Sequence, residues 1–109
     1  MAYDASLDER LQQLFASRKT ITRKTMFGGT CYLLHGNMLC GVWKDFLMVR
    51  MNPDEYETAL KKTHVRKFDI TGKPMKGWIL VASEGIKKPA DLTHWVNVAE
   101  QFVKTLPKK

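Results

Sequence analysis

Between Thr30 and Met51 the chain reads as three short strand-like segments, and their apolar residues do not alternate with polar ones. Thr30–Leu34 and Met38–Trp43 flank Gly36-Asn37, and Lys44-Asp45 leads into Phe46–Met51. Two tight turns between short apolar runs specify antiparallel hairpins. An antiparallel sheet with one wet face alternates apolar and polar residues. These strands are apolar at both parities, so both sheet faces need cover. If Gly36-Asn37 is the two-residue loop, His35 faces Met38, Leu33 faces Cys40 and Cys31 faces Val42. The Lys44-Asp45 turn then sets Val42 opposite Leu47 and Cys40 opposite Val49. One face would carry Cys31, Leu33, His35, Met38, Cys40, Val42, Leu47, Val49 and Met51 under the helices. The other would carry Thr30, Tyr32, Leu34, Leu39, Gly41, Trp43, Phe46, Met48 and Arg50. Of these, Tyr32, Leu34, Leu39, Trp43, Phe46, Met48 and Arg50 are candidates for an interface, covered either by the C-terminal helix or by a partner.

The flanking segments supply helices. Ser6 with Glu9 forms a capping box, and Leu7, Leu11, Leu14 and Phe15 make one apolar stripe from Leu7 to Ser17. Thr20–Phe27 has strand composition and ends at Gly28-Gly29. Asn52-Pro53-Asp54-Glu55 starts a helix running to Lys62, and it buries Tyr56, Ala59 and Leu60. Arg66–Ile70 and Gly77–Ser83 read as strands around a Thr71–Pro74 turn. Leu92, Trp95, Val96, Ala99, Phe102, Val103 and Leu106 recur at helical spacing until Pro107 stops them. The expected architecture is an α+β domain, an antiparallel sheet of about five strands in the order α-β-β-β-α-β-β-α, with helices on one face. With 109 residues, the chain makes a single domain with an ordered core of about residues 6–106.

The net charge of +7 falls entirely within residues 61–109, since residues 1–60 balance. A one-sided positive field suits an anionic partner. Lys61, Lys62, Arg66, Lys67, Lys73, Lys76, Lys87 and Lys88 are the candidates for weak, sequence-independent nucleic-acid contact. Solubility explains the same lysines. No stretch approaches the roughly 20 apolar residues of a membrane span, and the acidic N-terminus lacks the basic region of a signal peptide.

Catalytic chemistry has no support in the residues. Cys31 and His35, four residues apart on a strand, lie about 13–14 Å from each other, too far for one metal. Cys31 and Cys40 as diagonal neighbours stand roughly 7–8 Å apart at Cα, beyond disulfide range. Reduced, buried thiols are expected, with no metal and no cofactor. Asp8, Glu9, Asp54 and Glu55 are accounted for by helix capping and the helix dipole.

Met26-Phe27-Gly28-Gly29, Gly36-Asn37-Met38, Gly41-Val42, Leu47-Met48-Val49-Arg50, Pro53 before Tyr56, and Gly72-Lys73-Pro74-Met75-Lys76-Gly77-Trp78 follow one another in order. Together they resemble the TfoX N-terminal domain, the amino-terminal half of the TfoX/Sxy competence regulators, over about residues 10–105. The resemblance implies a bacterial cytoplasmic protein connected with regulating DNA-uptake genes, and it supplies no catalytic residue. Its motif residues here are Met26, Phe27, Gly28, Gly29, Gly41, Arg50, Pro74, Gly77 and Trp78. Full-length regulators continue into a helical domain, so this chain, ending at Lys109, is expected to be a free-standing form. Three functions stay open. One is an interaction module with a protein partner or a second copy of itself. The second is a weak nucleic-acid binder using residues 61–109. The third is a small-ligand binder or an unrecognised enzyme, with a pocket near Phe27-Gly28-Gly29 and Trp78.

Overall fold

Asp4, rather than Ser6, starts the first helix. In the structure, a computed structural model that describes residues 3–26, 28–68 and 76–108, Asp4 Oδ1 accepts from the Ser6 and Leu7 amides at 2.9 and 3.1 Å. This satisfies two of the amides that a helix start leaves without partners. The helix, α1, spans Ala5–Phe15. The strands are β1 (Ile21–Met26), β2 (Gly29–Leu34), β3 (Asn37–Trp43), β4 (Phe46–Arg50), β5 (Val65–Lys67) and β6 (Trp78–Val81). They form one antiparallel sheet in the order β1-β2-β3-β4-β6-β5. Helix α2 (Tyr56–Leu60) follows a 3-10 turn at Pro53–Glu55, where the Asn52 side chain accepts from the Asp54 amide at 2.9 Å. The chain crosses to the edge strand β5 and returns through β6, which inserts beside β4. Helix α3 (Pro89–Val103) closes the fold. This is the expected α+β architecture with six strands described. Ile70 and the Thr71–Pro74 turn lie outside the described residues.

The β2–β3 hairpin corrects the expected register. Its loop is His35-Gly36, with φ of 51° and 85°. Two consecutive positive φ values make a type I′ turn, which favours glycine second. Asn37 instead opens β3, buried, with its side-chain amide donating to the Pro107 carbonyl at 2.9 Å. Leu34 pairs with Asn37 and Leu33 with Met38, and then Leu39 bulges out of register. Beyond the bulge Tyr32 pairs with Cys40, Cys31 with Gly41 and Thr30 with Val42. A one-residue slip turns a whole strand over. Thr30, Tyr32 and Leu34 therefore face the helices, while Cys31 and Leu33 face away. The bulge turns Leu39 as well as Cys40 inward and leaves Met38 outside. The Lys44-Asp45 turn is as expected, pairing Val42 with Leu47 and Cys40 with Val49.

The main core lies between this face and the helices. Leu7, Leu11 and Phe15 of α1 and Leu92, Trp95, Val96, Ala99 and Val103 of α3 cover Tyr32, Leu34, Val42, Leu47, Val49, Ile79 and Val81. Each such large side chain contributes roughly 1.5–3 kcal/mol by leaving water. Both long helices thus pack on one side, and α3 does not cover the second face.

One charge is buried in this core layer. Asp8, read above as a helix-dipole residue, is only 4% exposed. Its carboxylate accepts from Arg23 Nη2 at 2.7 Å, the Tyr32 hydroxyl at 2.6 Å, the Thr30 hydroxyl at 3.0 Å and Gln12 Nε2 at 2.9 Å. Burial by itself would raise the Asp8 pKa. The hydrogen bonds from Arg23, Tyr32, Thr30 and Gln12 outweigh it and lower the pKa from 3.8 to about 2. Burial, reinforced by the Asp8 charge, raises the Tyr32 pKa and keeps that hydroxyl a donor. A second ion pair, Arg18 with Glu100, ties the end of α1 to α3.

Two outcomes are expected. A carboxylate with a depressed folded pKa stabilises the fold above its unfolded pKa, and the gain is lost as pH falls through the folded value. Asp8→Asn should cost about 2 kcal/mol at neutral pH. The gap to the wild type should shrink as pH falls from 3.8 toward about 2. Urea unfolding at each pH measures it, and a gap independent of pH would contradict the assignment. The thiols give the second outcome. Cys31 and Cys40 are buried and free on opposite faces. Burial pushes the Cys31 pKa up to about 11 and raises that of Cys40 further. A thiol-specific disulfide reagent at mildly alkaline pH should label neither in the folded protein and both in denaturant. Rapid labelling of the folded state, or an internal disulfide, would contradict the placement.

Candidate functional site: the helix-free face of the sheet

None of the six strands contains an aspartate or glutamate. Every described acidic residue lies in a helix, a cap or a turn. The strands do carry Arg23, Lys24, Arg50, Arg66 and Lys67. Arg23 pairs with Tyr32 and Lys67 with Ile79, so both turn to the helix side. Lys24 pairs with Cys31 and Arg66 with Leu80, which puts these two exposed cations on the other side.

The floor of that side is a second buried cluster: Cys31, Leu33, Met48, Leu80 and Phe68. Met38, Trp43, Phe46 and Trp78 pack around it and are only partly buried. Gly41 contributes no side chain to the middle. A Cβ there would stand 2.1 Å from the Thr30 carbonyl oxygen and 2.8 Å from Met48 Cε, so the strands close tightly only over glycine. Trp43 and Phe46, paired across the β3–β4 turn, stack with centroids 6.1 Å apart. Phe68 meets Trp78 at 5.6 Å.

Cations lie over these rings. Lys44 Nζ is 4.7 Å from the Trp43 centroid. Arg66 reaches past Leu80 to place Cζ 5.3 Å from the Phe46 centroid. Arg50 sits at the sheet end between Trp78 and Phe102, 5.6 and 5.8 Å from their centroids. Each contact adds attraction between the cation and the ring quadrupole. The arrangement offers planar rings and positive charge together, and no nucleophile or acid–base pair.

The expected interface set is therefore divided. Trp43, Phe46 and Met48 share this face. Tyr32, Leu34 and Leu39 lie beneath the helices, because the loop sits one residue earlier than expected and Leu39 bulges. Arg50 stacks on Trp78 and Phe102 at the sheet end. Among the motif residues, Gly28 precedes β2 and Gly29 opens it, Gly77 precedes β6 and Trp78 opens it, Met26 ends β1 opposite Gly29, and Phe27 and Pro74 lie outside the described residues.

The basic candidates are also dispersed. Lys61 and Lys62 follow α2, with Lys62 over Trp95 on the helix side at 5.3 Å. Arg66 is on the helix-free face and Lys67 opposite. Lys76 precedes β6, Lys87 and Lys88 precede α3, and Lys73 lies outside the described residues. Sequence reading missed Lys24, Lys44, Met38 and Phe68. The lack of acidic residues in every strand was the available signal.

Clefts also indent the surface among the described residues. One of about 380 Å3 between α2 and α3 is lined by Asp54, Glu55, Lys62, His94 and Trp95 among others. A second, of about 250 Å3, lies between Arg10 and Leu14 of α1 and Pro89 and Leu92 of α3. Trp78 borders a small one of about 90 Å3 with Arg50, Pro53 and Phe102, and not with Gly28-Gly29. Among the described residues no group of three His, Cys, Asp or Glu side chains could hold a metal ion. No helix there is long and apolar enough to cross a membrane.

No curated protein and no solved structure shows significant similarity to the chain. The family model of the TfoX N-terminal domain matches residues 13–103, from the last turn of α1 to the end of α3, with the whole described sheet inside the match. The chain belongs to the TfoX N-terminal domain family.

Proposed function

We propose that this chain is a non-catalytic regulatory module that acts through contacts on the helix-free face of its sheet, in the control of DNA-uptake genes. Family membership supports the regulatory part. The observation that carries the rest is the second face itself. Trp43, Phe46, Trp78 and Met38 stay partly exposed there, bordered by Lys24, Lys44, Arg50 and Arg66. Aromatic, methionine and arginine side chains on one patch have the composition of contact surfaces. On the helix side the buried apolar residues form the main core, and Asp8 and Glu100 are paired with Arg23 and Arg18.

Deleting the gene should change the transcript levels of DNA-uptake genes, and the wild-type chain should restore them. Trp43→Asp should fail to restore them while keeping its far-UV spectrum, because Trp43 is only partly buried at a sheet end. Lys24→Glu, at an exposed position, should fail in the same way and guards against a folding defect in the first variant. Unchanged transcripts on deletion, or full restoration by both variants, would overturn the proposal.

A further inference from the structure

We infer that the helix-free face is a platform for single-stranded nucleic acid, an inference that rests on reading this face as the working surface. Charge selects an anionic occupant. Lys24, Lys44, Arg50 and Arg66 border the face, and no strand residue on it is acidic. Asp45 stands beside Lys44 in the β3–β4 turn, outside the strands. A second copy docking through the same patch would bring these cations against themselves, since a twofold interface is self-complementary.

Shape selects a planar occupant. The Trp43–Phe46 stack and the Arg66 guanidinium over Phe46 present flat groups at one end. Trp78, with Arg50 over it, presents another at the far end of β4. The four residue steps from Phe46 to Arg50 separate these ends by about 13 Å. A short run of unstacked bases lies across such a distance, with its phosphates toward Lys24, Lys44 and Arg66. Unpaired bases stack on aromatic rings and on guanidinium planes whatever their sequence. A duplex keeps its base faces sealed, and among the described residues no helix protrudes from this side to enter a groove. An acidic peptide would satisfy the cations and leave the rings unused. This surface differs from the Lys61-Lys62 and Lys87-Lys88 pairs, and Arg66 is the residue of 61–109 whose cation lies over its rings at Phe46.

The test uses the whole chain with fluorescein-labelled oligothymidylate and oligouridylate of about fifteen nucleotides, read by anisotropy and tryptophan emission. Binding should quench tryptophan emission. With three phosphate contacts, affinity should fall about 20-fold between roughly 50 and 200 mM salt. The double variant Lys24→Glu/Arg66→Glu should lose at least about tenfold, and Lys87→Glu/Lys88→Glu, remote from the face, should stay within about twofold. No binding at the lower salt would overturn the inference. So would equal affinity for the matching duplex or for polyglutamate, equal loss in the Lys87/Lys88 variant, or a concentration-dependent dimer that Lys24→Glu/Arg66→Glu abolishes. If oligonucleotides fail to bind while Trp43→Asp still fails to restore transcript levels, the module reading stands with another occupant. If Trp43→Asp and Lys24→Glu both restore them, that reading falls whatever the oligonucleotides do.

Discussion

The two faces of this sheet are set by a pair of residues with positive φ, His35 and Gly36. Side chains alternate along a strand, so the position of a two-residue loop decides which half of β2 meets the helices. With the loop at His35-Gly36, and one residue absorbed at Leu39, Thr30, Tyr32 and Leu34 go inward. A loop one residue later would turn them out and bring Cys31 and Leu33 in. Both arrangements bury apolar residues, so hydrophobicity alone does not choose between them. Polar groups do.

Asp8 makes that choice costly to reverse. Its partners Thr30 and Tyr32 come from β2, and Arg23 comes from β1 opposite Tyr32. In the alternative register the Thr30 and Tyr32 hydroxyls would turn away from Asp8, and a buried carboxylate losing partners costs several kcal/mol. The network thus joins α1 to the sheet and opposes slippage. It also separates charge. The described carboxylates sit in helices, caps and turns, and the strands hold only cations. The side of the sheet without long helices is therefore both aromatic and positive, a consequence of where the acids are used.

Much of this was legible in the sequence. The α3 stripe from Leu92, the Asn52 cap and the Lys44-Asp45 turn are local signals that appear where their patterns place them, although α3 ends at Val103, before Leu106, and the turn after Asn52 is 3-10 before α2 begins at Tyr56. The absence of alternation in β3 and β4 revealed that both faces are apolar. The β2 register was harder. Gly36-Asn37 and His35-Gly36 are both plausible loops, and the second wins because a type I′ turn places glycine second. The Leu39 bulge has no short-range signature, since it answers to packing across three strands. Asp8 reads as a dipole residue in the sequence because Arg23, Thr30 and Tyr32, the partners that tie it to the sheet, lie 15 to 24 positions away. The candidate surface inherited the register error. Trp43, Phe46 and Met48 were placed together correctly, Tyr32, Leu34 and Leu39 were not, and Lys24 and Lys44 went unnoticed beside the denser lysines of residues 61–109.

The register of the β2–β3 hairpin bears most directly on this account, and backbone nuclear Overhauser contacts in the isotope-labelled protein read it. Contacts between Leu33 and Met38, and between Tyr32 and Cys40, with Leu39 skipped, are the predicted result. Cross-strand contacts pairing Leu33 with Cys40 and Cys31 with Val42 would contradict it, returning Tyr32 to the open face and removing Thr30 and Tyr32 from Asp8.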